Sequence, residues 1–89
     1  MRKVHVWVSG RVQGVCYRAT ACEQAQSRSL TGWVKNLADG RVEIVAEGNA
    51  NAVAAFLDWC RRGPSHARVD NLEVLDETAS GGYSGFAVR

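Results

Sequence analysis

Apolar residues occupy every second position near the start of the chain, at Val4, Val6 and Val8. This period of two predicts a half-buried β-strand over about residues 3–10, with the valines facing the core. His5 and Trp7 lie on the opposite face. A lone histidine without a ligand partner nearby in sequence is expected to be a surface residue of the strand and not a metal ligand.

A helix is predicted next, over about residues 20–30. Thr20-Ala21-Cys22-Glu23 has the Ser/Thr-x-x-Glu pattern of a capping box, which places the helix start at Thr20. The residues expected to face inward are small, so the helix can lie close to a sheet. They are Ala21 or Cys22, Ala25 and Ser29, with Leu30 at the end.

Two β-rich runs on either side of Asp39-Gly40 predict a hairpin of strands over residues 30–36 and 41–47. In the second strand, alternation divides the residues between two faces of the sheet. Val42, Ile44 and Ala46 are expected on one face, and Arg41, Glu43, Val45 and Glu47 on the other, with Gly48 ending the strand.

A second helix follows a cap within residues 49–51. Its apolar residues recur at the spacing of a core-facing stripe, and Gly63-Pro64 ends it. The stripe consists of Val53, Phe56, Leu57 and Cys60. A fourth strand over Ala67–Glu77 has broken alternation, which indicates a β-bulge. Tyr83–Val88 is expected to form a short last strand.

The predicted element order is β-α-β-β-α-β with one short additional strand. This order is typical of the α+β class and of the ferredoxin-like split βαβ fold, a two-layer sandwich. Both helices are expected on one face of a mainly antiparallel sheet.

Length and composition predict one compact domain spanning residues 1–89. The net charge of +2 slightly favours an anionic small ligand and is too small to argue for nucleic acid. Three cysteines cannot all pair within the chain, so we expect free thiols in a reducing cytoplasm. No segment resembles a signal peptide or a membrane span. The cytoplasm is therefore the expected location, without a membrane partner. A monomer is also expected.

Residues 10–18 connect the first strand to the first helix and contain the candidate chemistry. Gly10 and Gly14 let the backbone turn tightly, and main-chain N–H groups at a helix N-terminus can converge on an anion. Arg18 could complete a phosphate-sized site with paired hydrogen bonds. The glycines do not fit a Walker P-loop or a Gly-x-Gly-x-x-Gly fingerprint. The alternative is an ordinary connection with a solvated arginine.

Two motifs resemble the signatures of the acylphosphatase family. The first is Gly10-Arg11-Val12-Gln13-Gly14-Val15-Cys16-Tyr17-Arg18, with tyrosine at residue 17 where phenylalanine is commoner in the family. The second is Gly32-Trp33-Val34-Lys35-Asn36-Leu37-Ala38-Asp39-Gly40-Arg41-Val42, followed after five residues by Gly48. The length and element order of the chain also fit that family.

The resemblance implies an enzyme that hydrolyses acyl phosphates to carboxylate and inorganic phosphate, without a metal or a cofactor. It assigns Arg18 to the substrate phosphate and Asn36 to the attacking water. Thr20 is most simply the cap of the helix, and a secondary, supporting role in holding the asparagine or the water is also considered for it. The loop amides that it assigns to phosphate binding belong to Gln13, Gly14, Val15, Cys16, Tyr17 and Arg18.

Chemistry agrees with this assignment. Charge in the transition state of phosphoryl transfer is spread over the non-bridging oxygens, where N–H donors and a guanidinium can stabilise it. A carboxylate leaving group needs no general acid. Two alternatives remain open here: Asn36 as a turn residue next to Asp39-Gly40, and Cys16 as a nucleophile. Lys35 and Asp39 are expected to be a solvated strand residue and a turn residue.

Two further functions are considered. One is a phosphate-binding module without turnover, because acylphosphatase-like domains also occur inside larger maturation proteins. Because the chain begins at Met1 and ends soon after the last predicted strand, a stand-alone enzyme is expected instead. The other is RNA binding, for which Trp7 could stack on a base but the RNP aromatic pattern is missing.

Overall fold

Five strands and two helices follow one another in the order that the sequence predicts. A computed structural model describes all residues 1–89. The elements are β1 Arg2–Arg11, α1 Tyr17–Ser27, β2 Thr31–Asn36, β3 Val42–Gly48, α2 Ala50–Arg62, β4 Arg68–Glu77 and β5 Phe86–Val88.

The strands form one sheet in the order β4-β1-β3-β2-β5. The β1–β3, β1–β4 and β2–β3 pairs are antiparallel, and the edge strand β5 is parallel to β2. The predicted ferredoxin-like sandwich with one additional short strand is therefore confirmed.

The core lies between one face of the sheet and the two helices. Val4, Val6 and Val8 are fully buried, as their alternation predicts. The stripe predicted for α2 is also buried, together with Trp59. Asn49 caps this helix, since its side chain accepts hydrogen bonds from the main-chain N–H groups of Asn51 and Ala52 at 2.9 and 3.3 Å.

The predicted start of α1 was wrong. The helix begins at Tyr17, and its N-cap is Cys16, which has a left-handed conformation and no side-chain capping bond. Thr20 lies inside the helix, where its hydroxyl donates to the carbonyl of Cys16 at 2.9 Å. Burial of Tyr17 in the core explains the earlier start, because tertiary packing outweighs a local capping signal.

The C-terminal end of α1 also differs from the expectation. Ser29 is exposed and has a positive φ of 57°, so it does not face the core. Leu30 is buried as predicted, with 2% of its surface exposed.

The bulge predicted in β4 is present where this strand pairs with β1. Ser9 is opposite Asn71 and Gly10 is opposite Val69, which leaves Asp70 as the extra residue. Gly10 has a φ of +129°, and a Cβ at this position would collide with the carbonyl oxygen of Arg68. Glycine is therefore required here.

The face of the sheet opposite the helices is more covered than alternation predicts. Val45 and Glu47 were expected to face outward with Arg41 and Glu43, but they are 3% and 1% exposed. The Glu47 carboxylate accepts hydrogen bonds from the main-chain N–H groups of Ser80 and Gly81 at 2.5 and 3.0 Å. The connection between β4 and β5 therefore lies over this face, and the last strand starts at Phe86 instead of Tyr83.

His5 belongs to this same face. Its Nε2 lies 2.6 Å from a carboxylate oxygen of Glu43, and its ring stacks on Trp7 with the centroids 4.1 Å apart. No group of three or more His, Cys, Asp or Glu residues is arranged to hold a metal ion. Neither helix has the length and apolar character needed to span a bilayer.

Candidate active site

A cleft of about 370 Å³ lies where the β1–α1 loop meets the ends of β2 and β5. Arg18 and Asn36, which the two sequence motifs singled out, both line it. The remaining lining residues are Val12, Gly14, Cys16, Tyr17, Ala19 and Val88. The fold therefore brings together the two candidate catalytic residues from separate parts of the chain.

The β1–α1 loop presents free main-chain donors. Gly14 and Cys16 both have positive φ values, 74° and 65°. None of the N–H groups from Gln13 to Cys16 donates a hydrogen bond to another protein group. The first-turn amides of α1 have no intrahelical acceptor either, and the helix dipole adds positive potential. The loop has the properties of an anion-binding site.

Buried side chains hold this loop in place. Val12 and Tyr17 are each 1% exposed. The Tyr17 hydroxyl donates to the main-chain carbonyl of Cys60 at 2.8 Å, and burial raises the pKa of Tyr17 above its usual range. The loop is thus anchored on α2 through the core, so its amides are preorganised.

Arg18 lies in the first turn of α1. Its Nη1 donates to the main-chain oxygen of Arg89 at 3.0 Å. A guanidinium has five N–H donors, so this contact orients the group and leaves others for a ligand. Arg18 is therefore held at the cleft and is not simply a solvated loop arginine.

Asn36 is the last residue of β2 and pairs with Val42. Its Oδ1 atom is buried, and no protein group donates a hydrogen bond to it. The adjacent turn is formed without Asn36, because Asp39 accepts from the main-chain N–H of Arg41 at 3.1 Å. That hydrogen bond, followed by the Arg41 side chain, lowers the pKa of Asp39. The interpretation of Asn36 as a turn residue was therefore wrong.

Gln13 contributes more than a main-chain amide. Its Nε2 donates to the carbonyls of Leu37 and Arg41 at 2.7 and 2.9 Å. These bonds join the loop to the β2–β3 turn. Sequence reasoning missed this link, because the two segments are far apart in the chain and no local pattern pairs them.

Three other candidates lie outside the cleft or lack a partner. Lys35 points to the opposite face of β2 from Asn36, and its Nζ is 3.6 Å from a carboxylate oxygen of Glu43. Thr20 does not line the cleft and contacts only Cys16 with its hydroxyl. The thiol of Cys16 is exposed in the cleft, but neither histidine lines it. No imidazole is placed to activate the thiol.

The C-terminal strand supplies a part of the site that the sequence did not reveal. Val88 lines the cleft, and Arg89 holds Arg18 through its main-chain oxygen. The N–H of Arg89 donates to the carbonyl of Val34 at 2.8 Å, which fixes this segment on β2. No local sequence pattern indicates this contribution, because it depends on the parallel pairing of β5 with β2.

Comparison with known proteins agrees with this geometry. The family model for acylphosphatase matches residues 4–88. An acylphosphatase from Methylococcus capsulatus is 58% identical over 88 residues, which cover 99% of this chain and 96% of the relative. One from Rubrobacter xylanophilus is 54% identical over 88 residues, covering 99% of this chain and 80% of the relative.

A solved structure is similar over the whole chain. The crystal structure of acylphosphatase from Bacillus subtilis superimposes with a TM-score of 0.96 at 38% identity, covering 100% of this chain and 99% of that one. This chain belongs to the acylphosphatase family.

Proposed function

We propose that this protein hydrolyses acyl phosphates to carboxylate and inorganic phosphate, with Arg18 and the loop amides binding the phosphate and Asn36 orienting the attacking water. One observation carries the assignment of residues. Free main-chain donors, a guanidinium and a buried acceptor without a protein partner all belong to a single cleft.

The phosphate is bound by donors that match its charge. The N–H groups of the β1–α1 loop and the remaining donors of Arg18 address the three non-bridging oxygens. These groups carry positive charge or dipoles, so they stabilise a transition state in which negative charge spreads over the same oxygens. Because the loop is already held by Val12 and Tyr17, little reorganisation is needed when the substrate binds.

Asn36 orients the water. The buried Oδ1 accepts a hydrogen bond from one O–H of the water and so directs a lone pair of its oxygen toward phosphorus. As the new P–O bond forms, the bond from phosphorus to the carboxylate oxygen breaks, and that oxygen leaves with the electron pair. The proton lost by the water passes to the phosphate oxygens or to solvent.

The reaction as proposed needs neither a general acid nor a metal. A carboxylate is a good leaving group, so it departs without protonation. A loose transition state demands little nucleophilic assistance, so a positioned water suffices. Arg18 and the amides supply the positive charge that a metal ion provides in other phosphoryl-transfer enzymes.

The test is hydrolysis of benzoyl phosphate by the purified protein in excess chelator. We expect turnover to fall about 10²–10³-fold in both Arg18→Ala and Asn36→Ala. The inhibition constant of inorganic phosphate should rise only in Arg18→Ala, because Asn36 contacts water and not phosphate. Arg61→Ala and Asn51→Ala are matched controls, since both residues are exposed on α2 and neither lines the cleft.

Wild-type turnover in a folded Arg18→Ala or Asn36→Ala variant would contradict the role proposed for the substituted residue. A folded wild type without turnover, but with phosphate bound at Arg18, would favour a binding module that does not hydrolyse its ligand.

The same proposal includes a monomer of a single domain that acts in the cytoplasm. Three unpaired thiols suit a reducing compartment. Large exposed hydrophobic side chains are limited to Met1, Leu75 and Val88, and scattered residues of this kind do not make an interface. Sedimentation equilibrium would test the monomer directly, and a dimer that persists on dilution would contradict it.

A further inference from the structure

We propose that the Gln13 side chain is a positioning residue for hydrolysis, which sets the distance between the phosphate-binding loop and Asn36. The inference rests on the proposed function, because it concerns the alignment of the phosphate with the water. It adds a role for a side chain that does not line the cleft.

Both N–H donors of the Gln13 side-chain amide are directed to the β2–β3 turn. Nε2 donates to the carbonyl of Leu37 at 2.7 Å and to that of Arg41 at 2.9 Å. A primary amide nitrogen has two hydrogens, so both donors are occupied. The two bonds therefore fix the position of the Gln13 side chain relative to both carbonyls. A single hydrogen bond would leave it free to pivot.

The two acceptors form the base of the β2–β3 turn. The N–H of Leu37 donates to the carbonyl of Arg41 at 2.8 Å, and the N–H of Gly40 donates to that of Leu37 at 3.2 Å. Leu37 directly follows Asn36, so a rigid peptide unit connects the turn to the residue that orients water. A shift of the turn relative to the loop therefore moves Asn36 relative to the bound phosphate.

No other hydrogen bond performs this task. Of all the hydrogen bonds formed by residues 12–19, only those of Gln13 reach residues 36–41. Arg18 is directed instead to Arg89, and Tyr17 to Cys60. Without Gln13, the loop and the turn would each stay folded, and their separation would be set only by side-chain packing and by the β1–β3 pairing, which ends at Val8 and Val42.

Reaction rate is sensitive to that separation. Attack requires the water oxygen to lie about 3–3.5 Å from phosphorus and in line with the leaving oxygen, and a displacement of about 1 Å can reduce the rate 10²-fold. Phosphate binding depends on Arg18 and the loop amides, which a side-chain change at Gln13 leaves in place. The effect is therefore expected on kcat and not on phosphate affinity.

Gln13→Met tests this with a side chain of similar length and no donor. We expect kcat for benzoyl phosphate to fall about 10- to 100-fold. The inhibition constant of inorganic phosphate should stay within about twofold of the wild-type value, because the phosphate ligands are unchanged. Gln24→Met is the matched control in α1, where the glutamine side chain accepts a hydrogen bond from Arg28 at 2.6 Å and does not line the cleft. Its kcat should match the wild type.

Gln13→Glu adds a pH readout that a purely structural role would not produce. An ionised carboxylate there would face two carbonyl oxygens and donate to neither, whereas the protonated acid can donate to one of them. The kcat of this variant relative to wild type should therefore rise as the pH falls through the range in which a carboxyl group titrates.

Three kinetic results would overturn the proposal. The first is a wild-type kcat in Gln13→Met. The second is an inhibition constant of phosphate that rises in that variant in parallel with the loss of kcat. The third is a ratio of the kcat of Gln13→Glu to that of wild type that does not change with pH. Loss of the folded state in both variants would also overturn it, by assigning Gln13 a structural role. Failure of the proposed function is distinct, because it would appear as a folded wild type that does not hydrolyse benzoyl phosphate.

Discussion

Asn36 and Glu47 are both polar residues with buried acceptor atoms, and they differ in how those atoms are satisfied. The Glu47 carboxylate receives two main-chain N–H donors, whereas Oδ1 of Asn36 receives no donor from the protein. A buried acceptor without a partner lowers stability by about 1–3 kcal/mol. Such a defect is tolerated most readily where the atom serves a ligand.

Asn36→Leu is therefore expected to separate stability from activity. Leucine has a similar size and no buried acceptor, so the free energy of unfolding in urea should rise by about 1 kcal/mol. Turnover of benzoyl phosphate should fall at least as far as in Asn36→Ala. A variant that is less stable than wild type would mean that Asn36 is satisfied within the native protein.

Cys60 makes stability depend on pH in the alkaline range. Burial raises the pKa of this thiol from 9.0 to about 12. Between these values the thiol is deprotonated in the unfolded chain and protonated in the folded chain. The contribution of Cys60 to the free energy of unfolding is therefore fully present below about pH 9 and is lost as the pH rises toward about 12. The expected slope from this group is about 1.4 kcal/mol per pH unit.

Urea unfolding at a series of pH values from about 8 upward would measure this slope. Cys60→Ala should be less stable at neutral pH, because it leaves a small cavity, but its alkaline slope should be shallower. Val53→Ala is the control, since Val53 is a buried residue of α2 without a titratable group. It should lose stability and keep the wild-type slope. Equal slopes in Cys60→Ala and wild type would contradict the account.

At the level of elements, the sequence predicted best where the signal was local. The valines of β1, the Asp39-Gly40 turn and the stripe of α2 each combine a strong period with a clear boundary. The start of α1 was missed because the burial of Tyr17 against Cys60 extends the helix beyond its apparent cap. The length of β5 was missed because the connection before it is tied to Glu47 through Ser80 and Gly81, a contact that no local pattern predicts.

The same distinction applies to the candidate site. Arg18 and Asn36 were found because each lies in a contiguous motif. The contributions of Gln13, Val88 and Arg89 depend on contacts between segments that are remote in sequence. A periodic pattern in one segment does not indicate which other segment it contacts in the fold. The contributions of these three residues could therefore be recognised only in the structure.

The cap of α2 is a local device whose effect on stability can be isolated. Asn49→Ala removes both side-chain hydrogen bonds to the first turn, so the free energy of unfolding should fall by about 1 kcal/mol. Turnover should be unchanged, because no residue of α2 lines the cleft. Asn51→Ala, two residues later and without a capping bond from its side chain, should change stability by less than about 0.5 kcal/mol. Equal losses in the two variants would show that Asn49 has no special role.

At the scale of the whole molecule, the two faces of the sheet cooperate in building the cleft. The helical face carries the β1–α1 loop and Arg18. On the other face, Glu47 holds the connection that leads into β5, and β5 in turn brings Val88 and Arg89 to the cleft. We therefore expect this buried carboxylate to help fix one wall of a site that it does not contact.

Glu47→Gln tests whether Glu47 influences the cleft through β5. The substitution keeps the size of the side chain but replaces one acceptor oxygen with an NH₂ group, which opposes the N–H of Ser80 or Gly81. Hydrogen exchange should then accelerate at both amides. It should also accelerate at the N–H of Arg89, which is bonded to Val34 at the far end of β5.

The expected kinetic effect follows from the position of β5. Because Arg89 orients the Arg18 guanidinium, which we propose binds phosphate, KM for benzoyl phosphate should rise several-fold, with a smaller change in kcat. Glu73→Gln is the control, since Glu73 is an exposed residue on the same face of the sheet. Faster exchange at Ser80 and Gly81 with unaltered protection of Arg89 would mean that β5 stays docked through its own pairing with β2. In that case the wall of the cleft would be independent of Glu47, and KM should stay at its wild-type value.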